Sequence, residues 1–185
     1  MTSPLKSALV AALLTVAAPA VAQDVVTTAP AEAPATATPT AAVGLSPAAI
    51  VQWLGTKGVT PGAVEQDGDN SYVRVVDGPL TWILFFQSCS NGVCADLQFS
   101  IGFATRAVTP DGVNGWNRDR RFLKAFYEAP ETAGEPASAV VQYDLFLRPG
   151  EGVDQLTDHL AVWRGLAPEF ARLMTRPAGT TPPAS

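Results

Sequence analysis

The sequence predicts an α+β domain in which helices pack against one five-stranded antiparallel sheet, in the order α-β-β-β-α-β-β-α. Three observations carry that expectation. Two helix starts share one grammar, Ser46-Pro47 and Thr109-Pro110. Between them lie apolar or alternating runs separated by turn residues. Near the C-terminus, apolar residues recur at spacings of four and three.

The first helix opens with Ser46 as N-cap and Pro47 as its first residue. Leu45 and Ile50 occupy the two positions of a hydrophobic staple. Ile50, Trp53 and Leu54 then fall on one face, and Gly58 suits the stop. Asp67-Gly68-Asp69-Asn70 reads as a turn. It invites comparison with a calcium loop, but position six is Tyr72 instead of glycine and position twelve is Gly78 instead of glutamate. A solvated turn is the better reading.

Residues 72–76 make a short strand with Val73 and Val75 on one face. Residues 80–88 are nearly all apolar, which predicts a central strand covered on both faces. Residues 96–103 alternate: Leu97, Phe99, Ile101 and Phe103 point one way, Asp96, Gln98, Ser100 and Gly102 the other. Together these suggest an antiparallel meander. The second helix begins at Thr109-Pro110, with Val108 and Val113 as its staple. Gly112 and Gly115 inside it predict a short helix. Residues 122–128 and 139–148 read as a further hairpin around a Pro/Gly-rich loop. The last helix starts at Val153 and carries the stripe Leu156, Leu160, Trp163, Ala167 and Phe170. Glu151 and Asp154 favour its start, and Arg172 and Arg176 its end. Pro168 should kink it or shift its register.

The folded domain is expected over residues 45–176, 132 residues, with no internal repeat. Residues 1–22 have the parts of a secretory signal peptide: Lys6, the apolar stretch 8–16, and Ala20-Val21-Ala22 as a small-x-small cleavage site. The mature start is expected at Gln23. The apolar stretch is shorter than the ~20 residues of an ordinary membrane span. No twin arginine is present, and no cysteine lies near the cleavage site to take a lipid. Residues 23–44 read as a disordered linker. From 24 to 44, 15 of 21 residues are Ala, Pro or Thr, which leaves little to bury against a core. Residues 177–185 read the same way. The expected compartment is the bacterial periplasm or the exterior, with no membrane insertion after cleavage.

The net charge of −5 becomes −6 when Lys6 leaves with the signal. An acidic chain repels phosphate, so nucleic-acid binding is not expected.

Cys89 and Cys94 flank Ser90-Asn91-Gly92-Val93, a normal hairpin loop. Export supplies the oxidising compartment that a disulfide needs. The small ring limits the chain-entropy stabilisation to roughly 2 kcal/mol. A redox role is the alternative, but the spacing is not C-x-x-C and no helix N-terminus follows to lower a thiol pKa. Two cysteines and one histidine cannot alone complete a tetrahedral zinc site.

Catalytic signals are weak. His159 is the single histidine. Its neighbour Asp158 does not face it on a helix, so a structural or surface role is expected. There is no G-x-S-x-G elbow, no G-x-G-x-x-G and no Walker loop, and no cofactor is expected. Asp67 and Asp69 sit in a turn without a matching acid. Arg118, Arg120, Arg121 and Lys124 form the single basic cluster, read as a solvated helix end. Its alternative is an anion or small-ligand site, or an enzyme centre, around Arg118 to Arg121.

The stretch Val113-Asn114-Gly115-Trp116-Asn117-Arg118-Asp119-Arg120-Arg121-Phe122, followed by Ala125 and Tyr127, resembles the YbjN-like domain family. The Cys-x-x-Gly-x-Cys turn, the strand Leu97-Gln98-Phe99-Ser100 and the final helix with Trp163 add to the resemblance, which covers about 130 residues. That family carries a provisional label of sensory-transduction regulator. Its fold is similar to type III secretion chaperones, which are small, acidic, usually dimeric, and bind partner segments without catalysis. The resemblance therefore implies a non-catalytic protein-binding domain, with a protein partner or a homodimer and a chaperone-like or regulatory role in the envelope. It implies that Trp116 anchors the second helix to the sheet, and that Asn117 and Arg118 cap or brace the next strand. Arg121 belongs to the same motif. The expected signal peptide and disulfide depart from a cytosolic chaperone, and the loop 129–138 lacks an acidic Gly-turn.

Overall fold

A computed structural model describes residues 44–176. The expected signal peptide, the linker up to residue 43 and the tail 177–185 lie outside the described residues. The described chain is α+β, with six strands in one antiparallel sheet, where five are expected from the sequence.

Helix α1 (Pro47–Gly55) is capped as anticipated, with Ala49 N donating to Ser46 Oγ at 3.3 Å. It ends three residues before Gly58, where Thr56 Oγ1 donates to the Trp53 carbonyl at 2.7 Å. The unanticipated strand is β1 (Thr60–Asp67). Pro61 and Gly62 hide its pattern, and its residues are almost all exposed, so no alternation marks it. It is an edge strand, where proline is tolerated, and its pairing is irregular between Pro61 and Val64.

Strands β2 (Asn70–Asp77), β3 (Leu80–Ser90) and β4 (Val93–Ala104) continue the meander. Two-residue turns join β1 to β2, where Asp67 faces Asn70, and β2 to β3, where Asp77 faces Leu80. The β3–β4 turn is Asn91-Gly92, with φ of +51° and +80°. Positive φ at both central residues is what a type I′ turn requires, and Asn-Gly is the pair that supplies it.

Helix α2 (Pro110–Asp119) carries the chain across to β5 (Lys124–Glu128) and β6 (Ser138–Phe146). Strand β6 lies between β4 and β5, so the sheet order is β1-β2-β3-β4-β6-β5. The last helix opens differently from expectation. Residues Val153–Leu156 form a 3-10 turn, and the α-helix α3 runs over Thr157–Thr175 with Pro168 inside. Gln155 fastens that turn: its Oε1 accepts from Arg148 N at 2.8 Å, and its Nε2 donates to the carbonyls of Glu151 and Gly152.

All three helices cover the same sheet face. Val73, Leu84, Phe99 and Tyr143 stand side by side across four strands of that face. The core centres on Trp82, Phe99 and Trp163, whose ring centroids lie 5.4–6.0 Å apart. Residues 80–88 do form a central strand. Among the described residues, however, helices cover only one of its faces.

Candidate functional site

The Trp116-Asn117 segment is built into the frame of the fold. Thr109 caps α2, its Oγ1 accepting from Gly112 N at 3.1 Å. Val113 and Trp116 are the buried residues of that helix. The Trp116 ring meets Phe170 of α3 edge-on at 5.1 Å, and its Nε1 donates to the Leu123 carbonyl at 3.2 Å. At the next residue, Asn117 Nδ2 donates to the Ala125 carbonyl and Asn117 Oδ1 accepts from Ala125 N, both at 2.8 Å. A primary amide paired to one residue's N–H and C=O reproduces the pairing of a β partner. Asn117 thus clasps the start of β5. Leu123 N bonds back to the Arg121 carbonyl, and Phe122 adopts a φ of +70°. That tight reversal is why β5 begins at Lys124 and not at Phe122.

The basic cluster does not converge. Arg118 does not brace β5, contrary to expectation. It lies in solvent against its neighbour Asp119 at 2.8 Å. The same hydrogen bond, reinforced by the positive charge, holds the Asp119 carboxyl below its ordinary range. Arg120 turns the other way, to Glu169 at 3.1 Å and over the Trp116 ring. Arg121 lies over the exposed Phe122 ring. Lys124 Nζ donates to the carbonyls of Asn117 and Arg120, closing the end of α2. A shallow cleft of about 560 Å³ between α2 and α3 is lined by both signs of charge, Asp111, Asp119 and Glu169 against Arg120, Arg172 and Arg176. Arg118, Arg120 and Arg121 point in different directions, and the first two are paired with acids, so these three do not converge on one anion.

His159 has a definite partner. Tyr143 Oη lies 2.7 Å from His159 Nδ1. In the neutral Nε2–H tautomer the hydroxyl donates to Nδ1. Burial holds the imidazole pKa below its ordinary value, the positive charge of Arg148 adds to this, and Asp158 opposes it. Burial raises the Tyr143 pKa. Among the described residues, no nucleophile is hydrogen-bonded to the pair to make a triad. Among the described residues no group of three or more His, Cys, Asp or Glu side chains could hold a metal ion.

Cys89 and Cys94 face each other across β3 and β4 and form a disulfide. Cys94 is buried while Cys89 is exposed. Leu45 pairs with the Cys94 backbone in both directions, at 2.9 and 3.0 Å, at the start of the described chain.

The larger surface feature is the sheet face opposite the helices. Register places two rows across it: Tyr72, Phe85, Gln98 and Asp144 in one, Arg74, Ile83, Ser100 and Gln142 in the next. The centre is polar, with Gln98 donating to Asp144 at 2.7 Å. One wing is apolar through Tyr72, Phe85, Ile83 and Val76, with the Tyr72 and Phe85 rings 5.7 Å apart. The other carries Val140 and Phe126. Phe146, 82% exposed, stands at one end beside Asp96. Sequence patterning pointed away from this face. The alternation in residues 96–103 identifies its polar centre, while the apolar run in β3 hides its residues among those of the core.

The fold and its surfaces define a class: a small α+β domain with a single antiparallel sheet, helices on one face and a mixed apolar and polar surface on the other. The family model of YbjN, described as "Putative bacterial sensory transduction regulator", matches residues 46–175. The chain belongs to the YbjN family. Among solved structures it is similar to the crystal structure of YbjN from E. coli, described as a "putative transcription regulator". The two share 17% identity at a TM-score of 0.46, covering 73% of this chain and 92% of that one. It is also similar to an uncharacterized protein from Methanothermobacter thermautotrophicus, at 16% identity and a TM-score of 0.45, covering 71% of this chain and 99% of the other. No curated protein matches the chain.

Proposed function

We propose that this chain is a non-catalytic, exported YbjN-family protein that binds a protein partner in the bacterial envelope, in a chaperone-like or regulatory role. The observation that carries the reading is the uncovered sheet face, with Phe146 82% and Phe126 54% exposed among the described residues. Large aromatic side chains around a polar centre suit a protein interface, where aromatic residues anchor and polar groups fix orientation. The expected signal peptide and the Cys89–Cys94 disulfide support the envelope as the place of action. The partner is either another protein or a second copy of this chain using the same face.

The test is partner capture from a periplasmic extract, together with sedimentation of the purified domain. The wild-type chain should recover a reproducible partner or sediment as a dimer. Phe146→Lys combined with Phe126→Lys should abolish whichever is seen, while the melting temperature stays within a few degrees. Undiminished capture by that double variant, or a monomer that enriches nothing, rejects this face as the binding surface.

A further inference from the structure

On the helix side of the sheet, a cleft of about 410 Å³ opens between the β2–β3 turn and the C-terminal half of α3. That volume lies within the roughly 300–1,000 Å³ of small-molecule sites, which are mostly apolar with a few placed polar groups. Pro79 and Leu80 form one wall and Ala167, Pro168 and Ala171 the other, with Trp82 and Trp163 among the lining residues. This is a different place from the open sheet face, and it shares only Arg172 with the cleft between α2 and α3.

Several polar groups lie on the residues that line the cleft, two of them indole groups buried behind its wall. The indole N–H groups of Trp82 and Trp163 are buried and have no acceptor among the described residues. Pro168 cannot donate the helical hydrogen bond to residue 164, which frees the carbonyl of Arg164, itself a lining residue. Arg172 lines the cleft, is exposed, and makes no ion pair or side-chain hydrogen bond among the described residues. By contrast, the Arg164 guanidinium is held by Asp77 at 2.7 Å and by the Lys57 carbonyl at 3.1 Å. The cleft therefore has a largely aliphatic interior over a buried aromatic floor, with one fixed ion pair and one uncommitted cation among its lining residues.

We infer that this cleft binds a small amphiphilic organic anion, its apolar body between the Pro79-Leu80 wall and the Ala167, Pro168 and Ala171 wall, and its charged group on Arg172. Pro79, Leu80, Ala167, Pro168 and Ala171 offer apolar contact in front of the buried Trp82 and Trp163 rings, and the uncommitted guanidinium offers forked donors to a carboxylate, sulfonate or phosphate. The single free cation gives selectivity as well: a ligand with no anionic group would leave Arg172 unused.

The full folded protein can be titrated with 8-anilinonaphthalene-1-sulfonate and, separately, with the uncharged N-phenyl-1-naphthylamine. Saturable one-to-one binding of the sulfonate is expected, with quenching of tryptophan emission. Arg172→Glu should weaken the sulfonate at least tenfold and change the neutral probe less than threefold. Thr175→Phe, placed on the lining, should weaken both. Arg121→Glu makes the same charge change away from the cleft and should leave both unchanged. The Phe146→Lys and Phe126→Lys pair should also leave both unchanged, which separates this site from the open sheet face. Sulfonate binding that is absent, or insensitive to Arg172→Glu, overturns the proposal. So does binding lost with the phenylalanine pair but kept in both cleft variants. Since Arg172 is exposed, its variant remains a valid test if Thr175→Phe fails to fold.

Discussion

Asn117 shows how a single polar side chain can set where a strand begins. Its amide pairs with both backbone groups of Ala125, at a point where β5 has only β6 as a strand neighbour. Asn117→Ala should remove both bonds and leave two backbone groups without these partners, at a cost of about 1–3 kcal/mol. Chemical denaturation of the variant checks that range, and hydrogen exchange should show the loss concentrated at Ala125. Asn117→Asp keeps the acceptor but sets a carboxylate oxygen against the Ala125 carbonyl, so a cost at least as large is expected. The motif itself was legible in the sequence as Trp116-Asn117. The behaviour of Arg118 was not, because a long exposed side chain is directed by its immediate neighbour, here Asp119, and not by a pattern along the chain.

His159 makes a second residue-scale prediction, about pH. Burial lowers its folded-state pKa, so the unfolded chain takes up a proton at a higher pH than the folded one. The stabilising contribution of the neutral imidazole is complete above the unfolded value of about 6.5. It is lost as pH falls from there through the lower folded value. Stability measured against pH should fall in that acid window, and His159→Gln should flatten that part of the profile. An unchanged slope in the variant would assign the loss to other groups. Tyr143 has the opposite sign: its raised pKa gives stability that is present below about pH 10 and lost above it.

Among the elements, the β3–β4 hairpin carries its own constraints. An Asn-Gly turn with both residues at positive φ fixes the register, and the Cys89–Cys94 bridge closes the pair five residues apart. The bridge therefore stabilises mainly by limiting a short loop in the unfolded chain, by about 2 kcal/mol. Reduction, or paired Cys89→Ser and Cys94→Ser, should lower stability by that amount and leave the circular dichroism spectrum unchanged. Loss of the folded signal would show that the hairpin depends on the bridge. Helix starts and strong strands were readable because proline, caps and alternation act locally. Strand β1 was not, since its exposed side chains carry no core pattern and its pairing with β2 alone makes it a strand. The opening of the last helix was misread for a related reason: Gln155 turns its side chain onto the backbone of residues 148–152, and the local pattern of apolar residues does not register such a bond.

At the scale of the molecule, the sheet separates two kinds of surface. One face is filled by α1, α2 and α3, and the other is left with apolar wings around a polar strip. The double variant of Phe146 and Phe126 tests whether that second face is a working surface or a tolerated one. On the proposed reading, the net charge of −6 that remains without Lys6 would favour partners with basic rims. The α+β class and the single sheet could be read from the order of elements. The open face could not, because exposure is a property of what packs above a strand, and a run such as Trp82-Ile83-Leu84-Phe85-Phe86 reads the same whether one or both of its sides are covered.

Strand β6 has a consequence for the order in which the protein folds. It enters between β4 and β5, bringing Phe146 beside Asp96. The first four strands meet their neighbours through short turns, so their pairing closes small loops. The β4–β6 ladder joins residues far apart in the chain, and such non-local closure slows folding. The meander is therefore expected to form early, with the outer edge of β4 left bare until β6 arrives. During that interval the chain carries a long strand with one open edge, the state in which a β-protein is most prone to pair with the wrong neighbour.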